Sequence, residues 1–208
     1  MLTEKHLMKR SDHSFQNPLP DRFYLQSTVE VAKALLGKAL VVRHTRQEVL
    51  AVLIIEVEAY LSDDPASHSY SGITPRNRAM FERGGTCYIY LSYGMHHCMN
   101  VVTGRKGVGE AVLIRGACPL TDCEAFRKRR RVKAVQTLMN GPGKLTQAMG
   151  IDLSFNGSRF NGEKIGIVDV GRVVQAREIE ATRRIGISKA CDRPLRFVLR
   201  RPVHLSER

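Results

Sequence analysis

Residues 49–55 read VLAVLII, seven consecutive apolar residues, and the next five alternate as Glu56-Val-Glu58-Ala-Tyr60. A run this short and this rich in β-branched residues predicts a strand buried on both faces, which must lie inside a sheet. Only its exit turns polar, and there the two-residue period of a strand sets Glu56 and Glu58 on one face. A carboxylate at the end of a buried strand is costly unless it has partners or work to do. Two readings stand side by side for this pair: an ion-paired structural glutamate and a catalytic one.

The rest of the chain supplies neighbours for that strand. KALVVRH (38–44) is a second strand, joined to the first through polar Thr45-Arg-Gln47. Ser27-Thr-Val-Glu30 is a capping-box pattern that predicts a helix of about nine residues ending at Gly37. Thr74 followed by Pro75 predicts a short helix over 74–81 presenting Arg76 and Arg78, with Gly84-Gly85 as its stop. Residues 87–91 and 97–102 read as a hairpin turning through 93–96, and 109–115 as a further strand. Thr121-Asp-Cys-Glu124 predicts a second capped helix that carries the basic run 127–133 and stops before Asn140. The last third offers IGIVD, a helix near Glu178 and a final strand, LRFVLR. Residues 1–20 read as a flexible N-terminal arm, and 21–208 as one domain. The expected fold is α+β, a single mixed domain on a curved, largely antiparallel sheet with flanking helices and a protruding β-hairpin.

Charge narrows the partners. Lys and Arg number 33 against 20 Asp and Glu, a net +13, while 43% hydrophobic residues exclude a disordered basic tail. An anionic partner is expected. The longest apolar run, seven residues, falls far short of the ~20 of a membrane span, so no membrane partner is expected. The opening MLTEKHLMKR has no apolar leader core, and five cysteines without a C-x-x-C fit a reducing, intracellular setting. Gly141-Pro-Gly-Lys144 lacks the spacing of a phosphate-binding loop, which leaves a simpler anion contact at the helix KLTQAM. Adjacent His96, His97 and Cys98 point to alternating strand faces, so no metal site is expected. The basic run has two open readings, a solvated helix face and a phosphate contact.

Aromatic residues are few, and there is no Trp, yet four of the six tyrosines, Tyr60, Tyr88, Tyr90 and Tyr93, fall between positions 60 and 93. With His68 among them, they make flat surfaces on which bases can stack. An odd-numbered loop, Tyr93-Gly94-Met95, sets Tyr90 and Asn100 on one face of the hairpin.

Nine segments resemble, in order, the alkyladenine (3-methyladenine) DNA glycosylase family. They are Glu56-Val-Glu-Ala-Tyr60, His68-Ser69, Thr74-Pro-Arg-Asn-Arg78, Gly85-Thr-Cys-Tyr-Ile-Tyr90, Tyr93-Gly-Met95, Cys98-Met-Asn100, Leu113-Ile-Arg115, Gly141-Pro142 with Lys144-Leu145, and Pro194-Leu-Arg-Phe197. The resemblance implies a monofunctional hydrolase of base excision repair, without cofactor or metal, acting as a monomer on double-stranded DNA. Its implied substrates are alkylated or deaminated purines: 3-methyladenine, 7-methylguanine, hypoxanthine and ethenoadenine. The nucleotide is flipped out and its N-glycosidic bond hydrolysed to leave an abasic site. By the same resemblance Glu58 is the general base and Arg115 helps hold the water. Tyr60, His68, Tyr90 and Asn100 form the base pocket, with Tyr93 and Met95 entering the DNA stack. Arg76, Arg78 and Lys144 are backbone contacts. The competing expectations are a non-catalytic nucleic-acid-binding module, which has no need of Glu58, and a different hydrolase, which would bury Tyr93.

Overall fold

Strand β2 (Val49–Tyr60) is the axis of the structure, a computed structural model that describes residues 17–200. Its incoming half pairs with β1 (Ala39–Arg43), from Arg43↔Val49 to Ala39↔Leu53, as the hairpin pattern predicts. Its other edge pairs with β5 (Glu110–Pro119) from Val52 to Tyr60, so its outgoing half pairs on the β1 side with β8 (Arg196–Leu199), Glu58 opposite Arg196. The hairpin of β3 (Cys87–Ser92) and β4 (His96–Thr103) extends the sheet beyond β5, and β6 (Ile165–Val168) extends it beyond β1. Strand β7 (Ile179–Thr182) pairs with β8. All these pairings are antiparallel, in the sheet order β3-β4-β5-β2-β1-β6.

Among the described residues four α-helices flank the sheet: α1 (Asp21–Tyr24), α2 (Thr28–Leu35), α3 (Glu124–Arg130) and α4 (Pro142–Met149). Helix α2 opens with the predicted box: the Ser27 hydroxyl accepts from the Glu30 N–H while the Glu30 carboxylate accepts from the Ser27 N–H. Its Val31, Ala32 and Leu35, with Phe126 of α3 and Leu145, Ala148 and Met149 of α4, close over one sheet face to form the main core.

A slip in β2 decides what the other face becomes. Before the slip Leu50, Val52 and Ile54 point into the main core; beyond it Val57 and Ala59 do. The alternation shifts by one residue where the pairing with β5 is irregular, between Ile54 and Val57 with Glu56 opposite Gly116. Such irregularities re-aim the side chains that follow them. Unbroken alternation from Ile54 would drive Glu56 and Glu58 into apolar packing; the slip turns both to the opposite face. Gly116 makes room for it, since a Cβ there would lie 3.2 Å from the Glu56 Cβ and from its carboxylate.

Four expectations change on folding. The helix predicted over 74–81 is reduced to a 3-10 turn, Arg78–Phe81. The reason is local: the Thr74 N–H donates to Asn77 Oδ1 (2.6 Å) and the Asn77 N–H to Thr74 Oγ1 (3.3 Å), while the buried Asn77 amide donates to the carbonyls of His68 and Gly72. Helix α3 ends at Arg130 because Arg131 turns left-handed, and Asp122 rather than Thr121 accepts the Glu124 N–H. Near Glu178 lies a three-residue 3-10 turn, Ala176–Glu178, that leads into β7. Of the N-terminal arm, residues 1–16 lie outside the described residues, but Pro18 bridges Val168 and the Leu19 N–H donates to the Ile167 carbonyl at 2.7 Å.

The base of the hairpin is braced by α4: the Thr146 hydroxyl donates to the His97 carbonyl, and Gly143 lies against His96. A Cβ on Gly143 would stand 2.9 Å from the His96 Cβ. Gly143→Ala is therefore expected to lower unfolding free energy by about 1–3 kcal/mol, read from urea midpoints. A midpoint at or above that of the parent chain would show that the hairpin and α4 do not bear on each other.

Candidate active site

Turned to the second face by the slip, Glu58 lies completely buried beneath a cavity of about 590 Å³ whose lining does not include it. Three donors hold its carboxylate. The Tyr60 hydroxyl donates to Oε2 at 2.9 Å, Arg115 Nη1 to Oε2 at 3.3 Å, and the Ile185 backbone N–H to Oε1 at 2.8 Å. Tyr60, Arg115 and Ile185 all line the cavity, so the carboxylate sits one layer beneath its surface. Glu56 is ion-paired: it accepts from Arg115 Nε at 3.1 Å and from Arg196 Nε at 2.6 Å. Arg115 thus spans both carboxylates, and the shared-face reading of Glu56 and Glu58 is seen in that single guanidinium.

The walls are aromatic. Register pairs Tyr88 with Asn100 and Tyr90 with Cys98 around the three-residue loop 93–95, so all four side chains share the cavity face, as the odd loop requires. The His68 ring meets Tyr90 edge-on at 4.5 Å, and Tyr88 and Tyr90 lie tilted at 5.7 Å. His68 Nδ1 and the Tyr88 hydroxyl are hydrogen-bonded at 2.9 Å. Asn100 donates its side-chain amide to the Tyr88 carbonyl at 3.1 Å, which fixes its orientation. Burial pushes the Tyr60 and Tyr90 phenols far up and the Tyr88 phenol up to about 12, so each keeps its proton at neutral pH. Enclosure of its ring, and then the Arg76 guanidinium, hold the His68 imidazole below its ordinary value, although part of the residue faces the open cavity.

At the rim stands the hairpin tip. Tyr93 is 88% exposed and Met95 69%, the two most projecting apolar side chains of that turn. Tyr93 takes φ +50° and Gly94 φ +71°. The left-handed region is strained for a bulky side chain, and such strain collects at functional turns.

Of the expected backbone contacts, Arg76 reaches the cavity, donates to the Leu91 carbonyl and lies 5.9 Å from the Tyr90 ring centre. Arg78 is exposed on the 3-10 turn and does not line the cavity, and Lys144 is bonded to Asn140 at the start of α4. The basic run is partly used within the chain: Arg127 donates to the Lys133 carbonyl, Arg129 to Glu48, and Arg130 to the Leu138 carbonyl. What sequence reasoning missed is the segment 185–189, which forms one wall, and the residue before it, Arg184, buried against Asp64. Neither carries a motif of its own, because Ile185 acts through its backbone.

A family model described as methylpurine-DNA glycosylase (MPG) matches residues 22–202. A protein of Methanoculleus marisnigri is 45% identical over 192 residues, 91% of this chain and 99% of the relative. One of Carboxydothermus hydrogenoformans is 43% identical, with 91% and 99% covered, and one of Francisella tularensis 42%, with 87% and 94% covered. All three are provisionally named 3-methyladenine DNA glycosylases.

Two outcomes follow from the site as built. Since the folded His68 titrates below its ordinary 6.5, the unfolded chain binds more protons just under that pH, and stability falls as pH drops through it. His68→Gln should flatten that fall below pH 6.5 in urea midpoints; an unchanged slope would assign the loss to other groups. Tyr93→Gly relieves the left-handed strain and buries nothing less, so it should raise stability by about 0.5–1 kcal/mol. A lower midpoint would mean that the tyrosine packs against its own chain.

Proposed function

The chain belongs to the methylpurine-DNA glycosylase family of hydrolytic, monofunctional DNA repair enzymes, and from that premise we propose that it flips damaged purines out of duplex DNA into the tyrosine-walled cavity and cuts them from the sugar over Glu58. The observation that carries this reading is a fully buried carboxylate held by two residues, Tyr60 and Arg115, that themselves face the cavity. A carboxylate offers about four acceptor positions. Tyr60, Arg115 and Ile185 take three, and the fourth is left for a water.

In this account Glu58 takes a proton from that water as oxocarbenium character develops at the anomeric carbon, and Arg115 holds the water in line. The logic is that of an inverting glycosidase, with the carboxylate on the sugar face opposite the leaving base. Alkylation at N3 or N7 makes 3-methyladenine and 7-methylguanine cationic leaving groups that need no acid. Hypoxanthine and ethenoadenine are neutral and gain from a hydrogen bond. His68, on the cavity wall, is their candidate proton donor or hydrogen-bond partner. Tyr60, Tyr90 and His68 offer ring faces to the flipped base, and the fixed amide of Asn100 crowds the 2-amino group of guanine.

Flipping costs a few kcal/mol, least at damaged or mispaired bases, and the vacated stack must be filled. Tyr93 and Met95, projecting from a rigid turn, are the wedge. Arg76, Arg78 and Lys144 contact phosphates without reading sequence. The enzyme works as a monomer on double-stranded DNA. Among the described residues no helix is long and apolar enough to cross a membrane.

Glu58→Gln keeps shape and removes the base. Binding to lesion duplexes should persist while single-turnover excision falls by roughly 10²- to 10⁴-fold. Glu56→Gln instead leaves Arg196 without its carboxylate and Arg115 with Glu58 alone, and should cost about 1–3 kcal/mol of stability, with a smaller loss of rate. The opposite pattern, Glu56→Gln abolishing excision and Glu58→Gln sparing it, would move the chemistry to Glu56. Tyr93→Gly should slow excision from duplexes more than from single strands; equal rates on both would refute the wedge.

A further inference from the structure

Behind Tyr60, outside the cavity, lies an ion pair that no step of the reaction uses. Asp64 and Arg184 are buried, with both side chains inaccessible to solvent. The pairing is two-pronged: Arg184 Nη1 donates to Asp64 Oδ2 and Nη2 to Oδ1. As a source of stability the pair is a poor choice, because apolar residues of similar volume would serve as well or better. What distinguishes it is where else the guanidinium reaches. Its Nη1 also donates to the carbonyl of Ala59, the residue between Glu58 and Tyr60, at 3.1 Å. Its plane centre stands 4.7 Å from the centre of the Tyr60 ring. Its Nη2 donates to the Ala190 carbonyl at 3.3 Å, closing the segment that starts at Ile185. That segment turns through Gly186 at φ +79° and through Ala190, a non-glycine held left-handed at φ +47°.

Two of the three donors on Glu58 are therefore fixed by one side chain. Tyr60 carries the hydroxyl on Oε2, and Ile185, the next residue in the chain after Arg184, carries the N–H on Oε1. We propose that Arg184, clamped by Asp64, is a positioning residue for Glu58: it sets the Tyr60 ring and the Ile185 amide so that the free acceptor position of the carboxylate points at the reacting water. The inference rests on the reading of Glu58 as general base and adds the device that aims it. Asp64 in turn anchors the loop leading to His68 through the Ala66 N–H, which donates to its Oδ1 at 3.0 Å. Base pocket and base catalyst thus share one support.

The test uses the full chain, DNA methylated at adenine N3 with single-turnover release of 3-methyladenine, and binding to a duplex carrying a tetrahydrofuran abasic analogue. The double substitution Asp64→Leu with Arg184→Met removes both charges together, and because it also takes partners from the Ala66 N–H and from the Ala59 and Ala190 carbonyls it should lower the melting temperature while leaving the chain folded. Binding should stay within about 3-fold while excision slows by about 10- to 100-fold, the scale of a small misplacement of a catalytic group. In a Glu58→Gln background the same double substitution should cause no further loss. Excision at the parent rate, or an equal loss in both backgrounds, would overturn the proposal and leave a purely structural pair. Should the double variant not fold, Arg184→Lys decides, because it keeps a charge opposite Asp64 but replaces the fork by a single nitrogen. Slowing of about 10-fold at unchanged affinity supports the aim, and the parent rate overturns it. Glu58→Gln alone cutting at full rate would instead overturn the general-base reading beneath it.

Discussion

Glu58 is a carboxylate with no solvent contact, and its hydrogen bonds to Arg115, Tyr60 and Ile185 are what allow it to stay there. Each partner comes from a different part of the chain: the far side of the β2–β5 pair, the next same-face position of β2, and the segment between β7 and β8. Removing one partner of a buried charge costs about 3–5 kcal/mol, so the three segments are tied to one another by the group they surround. The sheet irregularity at Glu56 and Gly116 is part of the same arrangement, because without it the carboxylate would face the main core. In the proposed reading the general base is held by strands, and the parts that would meet DNA sit on turns.

The hairpin shows the complementary principle. Tyr93 is almost wholly exposed and strained, and contributes little to the core, so its cost makes sense only through what it meets outside the protein. Behind it the rings of Tyr88 and Tyr90 stand in strand register on the cavity face, 5.7 Å apart. A basic chain with a net +13 is drawn to DNA over its whole surface, yet several arginines of the 127–133 run are engaged within the fold. In the proposed reading charge brings the partners together, and the hairpin and cavity give the encounter its selectivity.

Much of this was legible in the sequence, for physical reasons that differ from residue to residue. The buried strand at 49–55 and the hairpin around 93–95 are set by periods of two and by loop parity, which any strand obeys. Helix α2 followed from a capping box that formed as written. The helix expected over 74–81 did not form, because the Asn77 side chain outcompetes the helical hydrogen bonds that Thr74 and Pro75 would begin. The one-residue slip in β2 left no local mark apart from Gly116, sixty residues on. Ile185 and Arg184 were illegible because one acts through a backbone N–H and the other through contacts, to Ala59 and Asp64, that exist only once the chain is folded.

The central claim is that a water activated at Glu58 attacks the sugar from the face opposite the departing base. Single-turnover excision in dilute methanol tests it most directly, because methanol can replace the water and record the face of attack in a stable methyl glycoside. The account predicts inversion, so the β-linked purine nucleotide should give only the α-methyl deoxyriboside. The β-methyl product, or a species trapped by borohydride as a protein–DNA adduct, would contradict it and point to a covalent intermediate.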